Sequence, residues 1–420
     1  MFKFLHSADL HLDSPMRGLE RYPGAPAEQL RGATRAALEN LVQLALDEQA
    51  RFVVIAGDLY DGDWPDHNTG LFFVTQMNRL RESGVQVFLI AGNHDAANRM
   101  TRTLRLPEHV TVLSNRNPQS IEIDSCGAFV HGQSFARQEV WENLASAYPR
   151  AVRGAFNIGL LHTCATGGST SHEQYAPCSL DDLRSREYDY WALGHIHQRG
   201  EVLREPLALF PGNLQGRHIR ETGAKGCLLV EVDDRLQAQA RFEPLDVVRW
   251  ERVTVCARPE DQIEDLWLRF ASQLNQQVVD AGGRLLALRV EFTGPCRAHK
   301  QFGLRPQQSQ AELRAIANEA GTGQAWIERI EFRTQPPLDD RAPSDGPLAE
   351  LLAVIRSCES NSQRLSDLAG VLGDLHRRLP ADLREGTDAL RIDDPEWVAG
   401  LVRQAEPLLL ARLQASQGAP

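Results

Sequence analysis

Five short segments rich in Asp, His and Gly each follow directly on a run of apolar residues. They are Asp9-Leu10-His11, Gly57-Asp58-Leu59-Tyr60-Asp61, Gly92-Asn93-His94-Asp95, Leu161-His162-Thr163 and Gly194-His195-Ile196-His197. The runs before them are residues 2–8, 52–56, 85–91, 156–161 and 188–193. Residues 52–56 are a continuous β-branched run, and they and 85–91 read as strands buried on both faces; the others are strand candidates. Residues 28–48 and 71–80 carry apolar side chains at helical spacing between the first strands. Strand–helix alternation argues for an α/β domain with parallel pairing. Further strand candidates at 121–130 and 227–232 suggest a second sheet stacked on the first. Open α/β sheets bind ligands outside the carboxyl ends of their strands, so all five segments can converge on one site.

The residue types in these segments suit metal ions. Carboxylate with imidazole fits Mn, Fe or Zn better than Ca, and no thiolate belongs to the set. In an extended chain, residues two apart point to the same side, with Cα atoms roughly 6–7 Å apart. Asp9 with His11, and His195 with His197, have that spacing. Such pairs can hold two metals about 3.5–4 Å apart, with an Asp as the natural bridge. Each segment alone is weak. A lone HxH is commonly a surface or core pair, and GNHD alone also fits a turn or a helix N-cap. The ordered set of five is the signal. Eleven of the 13 histidines precede residue 220, which confines imidazole chemistry to the first half.

A net charge of -11 excludes a uniformly basic nucleic-acid binder, though local basic patches remain compatible with it. Residues 336–420 hold 14 acids and 9 bases, so -5 of that total lies in the last fifth. The seven cysteines form no CxxC pair, which argues against a disulfide framework or a zinc knuckle and fits a reducing cytoplasm. No apolar run is long enough to span a membrane. Cys164, two residues from His162, reads as a small buried residue rather than a ligand.

Near residue 250 the pattern changes. Strands at 252–256, 285–292 and 326–332 alternate with helices at 260–279 and 310–320, a βαβαβ unit. A Pro- and Asp-rich linker follows, then helical candidates at 348–357, 363–378 and 395–414. The last is amphipathic, which fits docking on a partner helix or packing on its own region. The expected architecture is α/β: two stacked mixed β-sheets flanked by helices, a small α+β domain and a helical C-terminal region. The expected divisions are 1–245, 246–335, a linker at 336–347, and 348–420.

HSADLHLD, GDLYDG, AGNHD, LLHT and ALGHIHQ, in that order, resemble the calcineurin-like metallophosphoesterase superfamily. They are most similar to its DNA-repair exonuclease branch, the nuclease subunits that pair with SMC-like ATPases. Phe210-Pro211-Gly212-Asn213 and the segment beyond it look most like the bacterial YhaO-type members. Leu10, Asp13 and Asn213 depart from the commonest pattern at positions that are not ligands. The resemblance implies a metallophosphoesterase sandwich over residues 1–245, with 246–335 as a capping domain. It implies one divalent metal, Mn foremost, on Asp9, His11, Asp58 and His197. A second would sit on Asp58, Asn93, His162 and His195, with Asp58 bridging. His94 would stand beside the substrate phosphate as the catalytic residue. Asp61 and Asp95 are expected behind the ligands, with N-capping the alternative for Asp95.

Arg17, Arg99, Arg102, Arg217 and His218 are candidates for DNA phosphate contacts, with Arg105 and Arg220 beside them. An ordinary solvated face is the alternative for each. The resemblance further implies DNA as substrate, an SMC-like ATPase as partner and a homodimer. A phosphodiesterase for small substrates such as cyclic nucleotides, and a DNA-end-binding scaffold, are the competing functional classes.

Overall fold

The computed structural model describes residues 1–15, 24–61, 67–97, 105–165, 175–337, 346–359, 361–379, 390–392 and 394–417. The chain divides into two compact units. One comprises residues 1–252, 277–289 and 324–328; the other comprises 253–276, 290–323 and 329–420.

The first unit begins β1 (Phe2–Ser7), α1 (Ala27–Asp47), β2 (Phe52–Ala56), α2 (His67–Glu82), β3 (Gln86–Ile90), α3 (Asn93–Ala97) and β4 (Val110–Val112). It continues with β5 (Gln119–Ile123), β6 (Ala128–Gly132), β7 (Phe156–His162), α4 (Leu180–Ser185), β8 (Tyr190–Gly194), β9 (Gly200–Arg204) and β10 (Leu207–Phe210). β11 (Gly226–Val232) and β12 (Ala238–Pro244) close the series. Two six-stranded sheets result, in the orders β12-β11-β1-β2-β3-β4 and β5-β6-β7-β8-β10-β9. Both are mixed. β1 through β4 pair in parallel, while β11 runs antiparallel to β1 and to β12. β6, β7, β8 and β10 are parallel, with antiparallel β5 and β9 at the edges.

An aromatic and aliphatic layer joins the two sheets. Phe4, Phe52, Phe88, Phe156 and Tyr190 are buried in one cluster with Val54, Ile158 and Val230. The Phe4 and Phe52 rings stack at 4.8 Å, and Tyr190 meets Phe4 edge-on at 5.4 Å. Phe4→Ala is expected to lower stability by about 3–5 kcal/mol through lost burial and the cavity left behind. Denaturant titration checks this as a midpoint shift at unchanged slope; a loss under about 1 kcal/mol would show that the layer collapses onto the gap. On the opposite face of the first sheet, α1 buries Leu30, Ala33, Ala37, Leu38, Leu41 and Ala45, the stripe legible in the sequence. α1 ends where Gln49 turns left-handed (φ 52), Gln49 N–H donates to Leu46 O, and Ala50 N–H donates to Ala45 O. That pattern satisfies two terminal carbonyls of the helix.

One expected strand is corrected. Residues 121–130 are not one strand but the β5–β6 hairpin, paired from Gln119↔Gly132 to Ile123↔Ala128. Asp124, Ser125, Cys126 and Gly127 make the turn, with Gly127 at φ +62. The apolar flanks hid a turn-forming cluster that the composition of those four residues supports. β4, β9, β10 and β12 were not foreseen. They are short, or alternate partly exposed residues along a sheet edge, so no continuous apolar run marks them.

After residue 247 come β13 (Val248–Cys256), α5 (Ile263–Ala281), β14 (Leu285–Pro295), α6 (His299–Leu304), α7 (Pro306–Ala320) and β15 (Ala325–Gln335). The three strands form one sheet in that order. Leu285 N–H donates to Val247 O, and Ala257 N–H to Thr293 O, so β13 and β14 run parallel. Leu286 to Gln324 and Cys296 to Gln335 show the same for β14 and β15. Parallel neighbours require crossover connections, here supplied by helices.

The C-terminal region is helical: α8 (Pro347–Glu359), α9 (Ser362–Arg378) and α10 (Pro395–Gln417). Asn361 caps α9 by accepting from Gln363 N–H and Arg364 N–H. Val398 and Ala399 of α10 pack on Leu365, so the start of the amphipathic helix is covered within its own region. Residues 338–345 of the expected linker lie outside the described residues. Among the described residues no helix is long and apolar enough to cross a membrane.

Candidate metal centre

All five motif segments meet at the carboxyl ends of the parallel strands. Asp9 and His11 follow β1, Asp58 follows β2 and Asn93 follows β3. His162 ends β7, and His195 and His197 follow β8. The first four thus come from one sheet and the last three from the other. Asp9 N–H donates to Gly57 O, His11 N–H to Asp58 O and Leu12 N–H to Leu59 O, which laces the first two loops together. His195 N–H donates to both Asp9 oxygens, at 3.1 and 3.0 Å, tying in the second sheet.

The backbone here is not the extended chain that the i,i+2 spacing suggested. Asp9, His11, Asp58 and His195 have φ of 51, 45, 53 and 100. Positive φ at a non-glycine residue is costly, about 1–3 kcal/mol each, and persists where surrounding structure fixes it. The pairs converge through left-handed turns instead of through strand alternation. Gly92 is required for a different reason: a Cβ there would lie 2.3 Å from Asp58 Oδ1 and 2.8 Å from His162 Nε2.

The donor atoms form three overlapping groups, each with all members within 4.8 Å: Asp9, His11 and His197; Asp9, Asp58 and His162; His11, Asp58 and His94. Asp58 Oδ2 is 3.5 Å from His162 Nε2 and 3.8 Å from His11 Nε2, midway between the two sides. His162 Nδ1 faces Ala56 O at 2.9 Å, and a carbonyl only accepts, so Nδ1 carries the proton. Nε2 therefore offers a lone pair, yet it sits 3.0 Å from another acceptor, Asn93 Oδ1. His197 Nδ1 is likewise turned to Glu221 Oε1 at 2.8 Å, while its Nε2 lies 3.2 Å from His11 Nε2. At His162 Nε2 and Asn93 Oδ1 two acceptors face each other with no proton between them and repel. Divalent cations remove that conflict, so the donor set fits them.

Electrostatics agree. Burial, then the charge of Asp58, pushes Asp9 well above the usual carboxylate range. Burial holds His11 and His162 neutral, below the ordinary histidine value. Bound cations would reverse the penalty on the carboxylates and use the neutral imidazoles.

Behind the donors stand the supporting residues. Asp95 is buried and accepts from Leu59 N–H, Tyr60 N–H and Gly92 N–H. From the third position of α3 it reaches back to Gly92 at the start of the helix and clamps the Asp58 loop. Burial, then Asp58, raises its carboxyl to about 7. Asp61 touches His94 directly, Oδ1 to Nδ1 at 3.0 Å. Burial alone would raise Asp61, but His94, Ser14 and Arg217 outweigh it and hold the carboxyl at about 2. Burial would lower His94, yet Asp61 and Asp58 raise it above the ordinary value. His94 N–H also donates to Asp58 Oδ1 at 3.0 Å.

Residues 2–199 match the family model described as Calcineurin-like phosphoesterase. These residues belong to the calcineurin-like phosphoesterases. The phosphoesterase segment is followed by a match of residues 250–335 to a second model, Metallophosphoesterase YhaO, middle domain. The uncharacterized metallophosphoesterase YhaO of Bacillus subtilis (strain 168) is 37% identical over 256 residues, 60% of this chain and 62% of that protein. The chain thus spans less than two thirds of that relative's length. The crystal structure of a dimetal phosphatase from Danio rerio aligns over 57% of this chain and 98% of its own, at 13% identity and a TM-score of 0.37.

Beyond the phosphoesterase match lies the residue that sequence reasoning missed. Glu221 fixes the tautomer of His197 and also accepts from Asn213 Nδ2 at 3.0 Å and Arg217 N–H at 2.8 Å. Arg217, taken from sequence as a phosphate contact, has its guanidinium on Glu221 Oε1 at 3.0 Å and Asp61 Oδ2 at 3.3 Å. It braces His94 and His197 from behind. Lys225 Nζ adds a bond to His197 O at 2.8 Å. His218 lies beside Glu221, with Nε2 at 3.8 Å from Oε1, and Arg105 and Arg220 are exposed. Arg17, Arg99 and Arg102 fall outside the described residues. Cys164 is buried and belongs to none of the donor groups.

A carboxylate behind a ligating histidine typically contributes 10–100-fold to metal affinity. Glu221→Gln is therefore expected to weaken metal binding by about that factor, measured by titration calorimetry. Unchanged affinity would assign Glu221 a purely structural place.

Proposed function

We propose that this chain is a two-metal-dependent DNA nuclease that hydrolyses phosphodiester bonds, as a 3′-to-5′ exonuclease in DNA repair, with Mn as the metal. The observation that carries the hydrolytic reading is the set of carboxylate and imidazole donors converging on Asp58, with His94 held by Asp61 at its open side. Divalent cations bound there supply Lewis acidity and a nucleophile from water at neutral pH. Asp58 and Asp9 balance the positive charge. Gly92 lets His162 and Asp58 approach. Asp61 holds His94 Nδ1–H, which leaves Nε2 to donate to a departing oxygen. A proton donor is needed most when the leaving group is an unactivated sugar alkoxide, the case in a nucleic-acid diester.

DNA as substrate is supported by the motif resemblance and by the additional residues 250–335. The exposed Arg105 and Arg220 and the half-buried His218 would contact phosphates. An SMC-like ATPase partner, a homodimer and a cytoplasmic location are part of the same proposal. Val354 of α8 and Val371 and Leu375 of α9 are exposed apolar residues suited to a helical partner.

The test is hydrolysis with Mn²⁺ of labelled duplex DNA ends, a generic phosphodiester and a cyclic nucleotide, with Asp58→Asn as control. Release of mononucleotides from 3′ ends is expected. Activity confined to cyclic nucleotide overturns the nuclease reading, and inactivity on all three leaves a DNA-binding scaffold.

A further inference from the structure

Trp141 is 53% exposed, one of the few large aromatic side chains left in solvent. Its ring leans on Tyr175, with centroids 5.0 Å apart. Tyr175 is buried, and its ring lies 5.9 Å from that of His195, a residue of the metal centre. Beneath them, Val140 and Phe135 form an apolar floor, and Phe135 meets His162 edge-on at 5.3 Å. The aromatic rings thus run without interruption from an exposed indole to two of the expected ligands. The indole is anchored by packing, so its face is held in place at low entropic cost.

We propose that Trp141 is a stacking platform for the unpaired nucleobase next to the scissile phosphate. The inference rests on the phosphodiesterase reading of the metal centre and specifies what that site takes. Tyr175 bridges the two rings, at 5.0 Å from the indole and 5.9 Å from His195, so the indole stands one aromatic ring removed from the metal centre. The chemistry around Trp141 favours a base over a phosphate. Glu139 and Glu142 flank it on the exposed surface, and Arg137 is engaged with Glu142. An anion is repelled there, while the neutral face of a base is not. A base inside a duplex has both faces covered by its neighbours, so the platform takes a terminal or frayed one. Stacking discriminates little between bases, because every base presents a π-face.

Equilibrium binding of short single-stranded oligonucleotides tests this, with fluorescence anisotropy as the readout and Ca²⁺ present to limit turnover. One oligonucleotide ends in a normal nucleotide and the other in an abasic residue. The full-length protein is expected to bind the base-bearing end about 5- to 150-fold more tightly, the ratio one stacked base provides. Trp141→Phe is expected to keep most of that preference and Trp141→Ala to lose it. Because the indole is exposed, its removal leaves the core intact; melting curves of the variants confirm this. A preference that persists in Trp141→Ala overturns the platform, as does its absence in the unmodified protein. A protein that shows the Trp141-dependent preference but cleaves no DNA with Mn²⁺ supports the platform and overturns the nuclease.

Discussion

His94→Gln is expected to lower kcat about 10²–10⁴-fold, the range a positioned general acid contributes. Metal content should be unchanged. Glutamine can keep a hydrogen bond to Asp61 and is close in size, so the local packing survives. It has no proton to give at neutral pH. The raised position of the His94 imidazole, set by Asp61 and Asp58 against its burial, is what makes it a donor. Metal content by elemental analysis and turnover on a phosphodiester decide the matter together. A loss of both would make His94 a ligand, consistent with its place in one donor group. A loss of neither would remove it from the chemistry. A substrate with an activated leaving group should narrow the gap, since such a group departs without a proton.

Asp58→Asn is expected to have a larger effect on the centre itself. Its two oxygens face opposite tasks: Oδ2 stands between His162 and His11, while Oδ1 accepts from His94 N–H. An asparagine preserves the hydrogen bond and the volume, and deletes the charge that two cations would share. Metal stoichiometry should fall to one or none, and kcat/KM at least about 10³-fold, about 4 kcal/mol of transition-state stabilisation. Calorimetry with Mn²⁺ measures the first and steady-state kinetics the second. Two ions bound with unchanged affinity would show that Asp58 does not bridge.

The two sheets and the ligand-bearing loops were legible because they depend on local signals. β2, β7 and β8 are buried along their whole length, and such strands are written as predominantly apolar runs. Their polar terminators then stand out. What was not legible depends on contacts across the fold. Glu221 looks like any charged residue until folding sets it against His197, 24 residues away. Arg217 carries the same charge whether it meets a phosphate or two carboxylates. The left-handed backbone at Asp9, His11 and His195 is imposed by the interlaced loops and has no sequence marker, since Asp and His are compatible with it but do not demand it. The hairpin at 119–132 was missed for the opposite reason: its turn is local, but its flanks are more apolar than a surface hairpin usually is.

The division of the donors between the two sheets has a mechanical consequence. Four of the seven expected ligands come from loops of one sheet and three from loops of the other, while the side-chain layer between the sheets contains no disulfide. Ions seated among all seven would act as a cross-link that closes only when both halves have assembled correctly. A partly assembled or slipped domain offers an incomplete donor set and holds metal weakly. Occupancy then reports on correct assembly, and the free metal concentration becomes one of the variables that sets how tightly the two halves stay together.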